Sequence, residues 1–434
     1  MNDIEPTPKQ RLAERVQFIA SAMLIIFPVG WFLWFYPYDD LIDRSGTPLG
    51  ADYTMFYVGG QLVADGATDQ LYDQSEHQRR LHALLPGIDE RFCLPFRYPP
   101  FVALLMAPLA RLPYSVSYAV FLSGSLAALI LSLWLLRGEL TVLNGRERKT
   151  ILIAVAGWPV VLETLIGGQA SFFAMLIASA AIVCWQRQRW TLAGAVLALA
   201  LYKPNVLALF ALACLLYRPK MLRGAIPVAL GLAALSLATV GFDGLVEYAC
   251  LGTQLASGTW ELETPLWKVH GLASWLAPFA SGHEKALSCL IGLLFVVCLV
   301  IRWRSVENTD RSTQLLALGL LLAINSLLNA YTPIYDLTLL SLAALLTIES
   351  CATNPRCAFG DQAARGIIWA YLLLPVLYFG PHMSQTAAKV TGWQFFPLAL
   401  AAIAVWQGRL FWLATVQPAR QHTSGLTTQS NMAS

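Results

Sequence analysis

Charge is scarce in this chain. Only 13% of its 434 residues are Asp, Glu, Lys or Arg, while 57% are hydrophobic; soluble domains carry about 25% charged residues. A water-soluble globular domain is thereby excluded. The alternating apolar–polar pattern of an outer-membrane barrel is also missing. There is no CxxC pair: the eight cysteines are scattered, mostly inside apolar runs, so they read as small apolar core residues, not a disulfide framework or zinc site. No GxxxxGK[ST] stretch cradles a phosphate, and the basic loops are too short for a nucleotide-binding domain. Chemistry driven by ATP or a nucleotide sugar is disfavoured. No cleavable signal peptide is evident, and no internal repeat points to an inverted-repeat transporter. A net charge of +3 says little, because its distribution matters more than its sum. No nucleic-acid partner, metal or cofactor is expected.

What the chain does have is a series of apolar runs near the roughly 20 residues that cross a bilayer. The expectation is an all-α polytopic membrane protein with about twelve crossings and both termini inside. Residues 1–15, with Lys9, Arg11 and Arg15, form a cytoplasmic start, and Val16–Trp34 is the first crossing. The transmembrane domain then runs over 16–417, with a polar, disordered tail at 418–434. Two segments fall outside: 37–113 and 243–283. Within 37–97 ten carboxylates face five arginines, which fits an outer loop. Patterning predicts short interfacial helices over 52–64 and 73–85. The 12-residue apolar run after Tyr98-Pro99-Pro100 is short for a crossing and reads as interfacial or re-entrant, with proline in its first turn. Further crossings are expected at 114–136, 150–165, 171–185, 192–202, 206–217, 224–241, 285–300, 315–328, 334–347, 367–379 and 393–412. Under this count every basic loop is cytoplasmic. Lys203-Pro204-Asn205 breaks a short hairpin, which sets Lys203 below the outer surface.

Ionisable groups at membrane depth are costly and usually functional. The outer side collects Asp52, Glu163, Lys203, His270 and Asp336. Each has a plainer reading. Asp52 can cap a helix. Lys203 can complement a helix C-terminus, and Asp336 a first turn. Gln169 can simply turn a hairpin, Arg97 can snorkel, His270 can be a loop residue, and Tyr57 can pack with Tyr53 and Phe56.

Asp52-Tyr53 with Phe56-Tyr57 and Gly59, then Leu71-Tyr72-Asp73 and Tyr98-Pro99-Pro100, resemble the first outer loop of glycosyltransferase family 87. That family groups polyprenol-phosphate-mannose-dependent α-mannosyltransferases with related arabinofuranosyltransferases. Gly168-Gln169, Lys203-Pro204 and the stretch from Ala330 to Leu337 resemble its later motifs, in the same order. Asn205 departs from the pattern, which has Gln or a small residue after Lys-Pro. The resemblance implies a GT-C-type fold with juxtamembrane helices in the first outer loop. It also implies a bacterial inner-membrane enzyme that moves mannose or a similar sugar from a polyprenyl-phosphate donor to a lipid or glycan acceptor of the cell envelope, at the outer face. The first-loop aspartate, Asp52, is then the general base and the reaction inverts. Lys203 and Arg97 are candidates for the donor phosphate; Asp336, Gln169, His270 and Tyr57 are candidates to contact substrate.

Two other classes compete. A flippase or transporter of lipid-linked precursors would use the same charges as a pathway, but transporters place their sites near the midplane. An envelope polysaccharide polymerase or ligase would depend on arginines in a large late outer loop, whereas the larger polar loop here is the first and is acidic.

Overall fold

The computed structural model describes residues 8–35, 41–43, 46–89, 92–145, 148–257, 265–280, 282–306, 310–353 and 378–416. Among these there is no sheet, only isolated antiparallel bridges joining Ile42 to Pro48 and Val269 to Pro333. Pro8–Phe35 (α1) exposes Phe18, Ile25, Ile26 and Val29. Tyr53–Ala64 (α2) and Gln74–Leu84 (α3) follow, close to the expected interfacial helices. Asp73 caps α3, its carboxylate accepting from the Ser75 N–H at 2.8 Å and the Glu76 N–H at 3.4 Å. Pro100–Ala110 (α4) has 11 residues. At about 1.5 Å per residue it reaches only half of a ~30 Å hydrocarbon layer. It packs on α2 instead, where Gly60 lets the backbones meet: a Cβ there would stand 2.8 Å from the Met106 carbonyl oxygen.

Tyr114–Leu136 (α5) is a full-length span. Arg148–Ala156 (α6) and Pro159–Ile166 (α7) are together long and apolar enough for one span but are bent by 50° where they meet, because Pro159 lacks the N–H that would continue α6. Ser171–Gln186 (α8), Trp190–Ala198 (α9) and Ala208–Tyr217 (α10) are shorter. Leu222–Ser257 (α11) was expected to end at Gly241. Gly241 adopts φ 70° and ψ −172°, which redirects the axis, and a second helical stretch continues to Ser257. Leu272–Ala280 (α12), Glu284–Arg304 (α13), Arg311–Leu328 (α14) and Leu339–Thr353 (α15) come next. A helix over 378–391 (α16) fills what was expected to be a loop, and Phe396–Val416 (α17) closes the described chain. Most of the expected crossing at 367–379, and the tail 418–434, lie outside the described residues.

The protein is an all-α, multi-pass membrane protein. Among the described residues six helices are long and apolar enough to cross, or seven if the bent α6–α7 pair is one span. This is fewer than about twelve. The difference lies partly in α8, α9 and α10, whose 16, 9 and 10 residues fall short of a full crossing. α14 and α15 form the buried centre, while α11 turns an almost wholly exposed apolar surface outward. This explains the cysteines: Cys214 is buried, but Cys250, Cys289 and Cys298 sit on outward faces of α11 and α13, where lipid replaces the core.

The basic loops gather at one end. Arg187 and Arg311 both pair with Glu139, at 2.9 and 2.8 Å. Arg302 donates to Thr415 Oγ1 at 2.9 Å, and Arg304 to the Leu216 carbonyl. Buried Glu349 accepts from Thr141 Oγ1 at 2.9 Å and the Val142 N–H at 3.0 Å.

The break between α9 and α10 is held from α14. Asn325 accepts from the N–H groups of Leu209 (3.1 Å) and Phe210 (3.3 Å), and donates to the Val206 carbonyl (2.8 Å). It thus caps α10 across space, where Leu207 at the N-cap supplies no side-chain acceptor. Asn325→Ala should cost about 1–3 kcal/mol, because buried donors lose their acceptor; a lowered thermal unfolding midpoint in detergent micelles is the check.

Candidate active site

The site begins where two glycine turns touch. Gly50 and Gly168 have φ of 65° and 68°, a region open to glycine. A Cβ on Gly168 would lie 2.6 Å from the Cβ of Tyr53 and 3.2 Å from the Gly50 carbonyl oxygen. The Asp52 N–H donates to the Gly167 carbonyl at 3.1 Å. Main chain therefore meets main chain, and the side chains that follow are pressed together: Gln169 Nε2 donates to Asp52 Oδ2. Asp52 stands at the N-cap of α2 in a helical conformation and makes no capping bond. The plain capping reading fails, because its carboxylate points across to Gln169 instead of back along α2.

Burial raises the Asp52 carboxyl above the usual carboxylate range. The Gln169 hydrogen bond, then Arg97, Lys268 and Lys203, pull it partly back.

Tyrosines pin this arrangement. Tyr53 Oη lies 2.5 Å from Ser117 Oγ. Tyr114 donates to the Leu49 carbonyl at 2.6 Å and Tyr118 to the Ile166 carbonyl at 2.7 Å. Tyr57 donates to the Leu112 carbonyl at 2.7 Å and packs edge-on against Tyr114. It belongs to this buried aromatic cluster and does not line the cavity.

Two residues after Gln169, Ser171 donates to Asp336 Oδ1 at 2.7 Å. Lys203 Nζ reaches both oxygens of the same carboxylate at 2.6 Å and stands over the Tyr335 ring at 4.8 Å from its centroid. Asn205 keeps the break open by donating to the Tyr331 carbonyl at 3.2 Å and accepting from Asn329 through its own carbonyl. Segment 169–171 thus connects the Asp52 and Asp336 carboxylates.

Asp52, Gln169, Lys203 and Arg97 all line one cavity of about 530 Å³. Asp336 lies behind Lys203, outside the lining. His270 is not brought in. It is fully buried, its N–H donates to the Thr332 carbonyl at 2.8 Å, and its Nε2 bonds to the Pro381 carbonyl at 3.1 Å. Burial lowers the imidazole to about 4, so it is neutral.

The cavity also holds residues that sequence reasoning missed. Lys268 and Lys285 reach it, with Lys285 donating to the Leu255 carbonyl at 2.8 Å. Tyr248, Leu251 and Leu255 of α11 form an apolar wall. They were hidden because 243–283 read as a loop; apolar residues three and four apart after Gly241 were the available signal. Glu163, paired with His382 at 2.5 Å, completes the lining. Among the described residues no three His, Cys, Asp or Glu side chains gather as a metal site.

Residues 96–329, more than half of the chain, match the sequence profile of Glycosyltransferase family 87. The chain belongs to glycosyltransferase family 87. Family membership makes it a membrane glycosyltransferase, which binds a sugar donor and an acceptor. The match takes in Tyr98-Pro99-Pro100, Gly168-Gln169 and Lys203-Pro204; Asp52 and Asp336 lie to either side of it. No curated protein and no solved structure matches the chain.

Removing one member of a buried ion pair strands the other. Lys203→Met should therefore cost about 3–5 kcal/mol, and adding Asp336→Leu should return much of it. Thermal unfolding of the two variants decides; equal loss in both would show that the pair is not the reason.

Proposed function

We propose that this family 87 protein transfers a sugar, mannose or another hexose or pentose, from a polyprenyl-phosphate donor to a lipid or glycan acceptor, at the outer face of a bacterial inner membrane. One observation carries the reading: a carboxylate with raised basicity, Asp52, shares a cavity with four cations and an apolar wall. The acceptor hydroxyl gives its proton to Asp52 as its oxygen attacks the anomeric carbon. The bond from that carbon to the phosphate oxygen breaks, and the electron pair leaves on the polyprenyl phosphate. In-line attack inverts the anomeric centre.

The chain's own cations balance the phosphate. An ammonium has three N–H donors. Asp336 takes two from Lys203, which leaves one for the donor and makes the pair nearly neutral. Arg97, Lys268 and Lys285 then carry most of the positive field, while Asp336 positions Lys203. Gln169 holds the Asp52 carboxylate toward the acceptor. Met55, Leu94, Leu251 and Leu255 suit the first isoprene units.

The decisive assay gives the purified protein in liposomes a radiolabelled polyprenyl-phosphate sugar and candidate acceptors. Asp52→Asn should reduce transfer by about 10²–10⁴-fold while the protein stays folded. Undiminished transfer would remove Asp52 as base; sugar translocation without a new glycosidic bond would favour the flippase.

The pH profile supplies a second check. The base works deprotonated, so the rate should fall on the acid side as pH drops through a carboxyl constant lying above the ordinary one. Gln169→Leu removes the hydrogen bond that favours the ionised form, so that acid limb should move to higher pH. A limb that stays in place would detach Gln169 from the base.

A further inference from the structure

A second concavity opens at the basic end of the molecule. α9 and the turn after it lead from this concavity, at Arg189, to Lys203 in the active-site cavity. It is an open depression of about 370 Å³ lined by Gln188, Arg189, Trp190, Thr191, Leu192, Lys220 and Arg223.

Glycines build it. Gly194 of α9 lies against the Met221 carbonyl, and Gly224 of α11 against the Thr191 carbonyl, with no room for a side chain at either. This backbone contact sets Lys220 and Arg223 beside the start of α9. Three cations and no carboxylate line the result. Among the described residues, none of the three has an ion-pair or hydrogen-bond partner for its side chain. Arg187, two residues before Arg189, is by contrast neutralised by Glu139. Arg218 adds a further charge, stacked 4.9 Å from the Trp190 ring centroid.

An unneutralised basic pocket between membrane helices matches an anionic headgroup. A free phosphate would use the cations alone. A phospholipid would also use the exposed apolar side chains that start at its rim, Leu192 and Leu222, and continue along α11 through Ile226 and Leu230. We propose that this pocket binds the phosphate of an anionic phospholipid, whose acyl chains lie along α11.

The test is native mass spectrometry of the full chain in micelles containing phosphatidylglycerol and phosphatidylcholine. The wild type should retain phosphatidylglycerol preferentially. The triple variant Arg189→Gln, Lys220→Gln, Arg223→Gln should retain it about a hundredfold less, at about 1 kcal/mol per cation. Arg409→Gln, an exposed arginine on α17, should behave as wild type. Should the triple variant fail to fold, the pair Lys220→Gln with Arg223→Gln should lose retention in the same direction. Unchanged phosphatidylglycerol retention in the folded variant overturns the proposal. So does displacement by inorganic phosphate with no preference between the two lipids, which would make the ligand a free phosphate.

Discussion

The contact of main chain with main chain between Gly50–Asp52 and Gly167–Gln169 is the constraint on which the site depends. Both glycines occupy positive φ, and at Gly168 a single added carbon would strike Tyr53. Because nothing stands between the two turns, the side chains that follow them must meet. The tyrosines around α2 and α5 add little chemistry, but each hydroxyl satisfies a backbone carbonyl or a serine that would otherwise be buried unpaired. They turn a loose loop into a fixed wall.

Two carboxylates near that wall have opposite circumstances. Asp336 is held by an ammonium and a hydroxyl, and its charge is answered where it sits. Asp52 receives only an amide N–H at close range, with cations farther off. A neutral donor orients a carboxylate without fully offsetting its desolvation, so burial leaves the Asp52 carboxyl above the usual carboxylate range. Ser171 and Gln169, two residues apart on one turn, supply the contact that distinguishes each.

Much of this was legible beforehand. Apolar runs and scarce charge sufficed for the helical membrane class, because a bilayer tolerates little else. Asp52 and Lys203 could be named as cavity residues because ionisable groups beside apolar runs stand out against composition, and Gln169 and Arg97 because they belong to or adjoin the family's motifs. The first of these signals misled at His270 and the second at Tyr57: a buried polar group bonded to a backbone carbonyl looks, in sequence, the same as one awaiting substrate. Both passed over Lys268 and Lys285, which read as ordinary loop and helix-start residues until the second stretch of α11 carried the apolar wall up to them.

By itself the sequence determined the class of protein, the helical segments and the short list of polar residues that a membrane would not carry without reason. Those follow from local hydrophobicity and charge, which need no partner. Only the tertiary structure decided which of them meet. The pairing of Lys203 with Asp336 spans more than a hundred residues, and the capping of α10 by Asn325 does the same. Such contacts depend on helix packing and on backbone approach at glycine, neither of which leaves a local pattern to read.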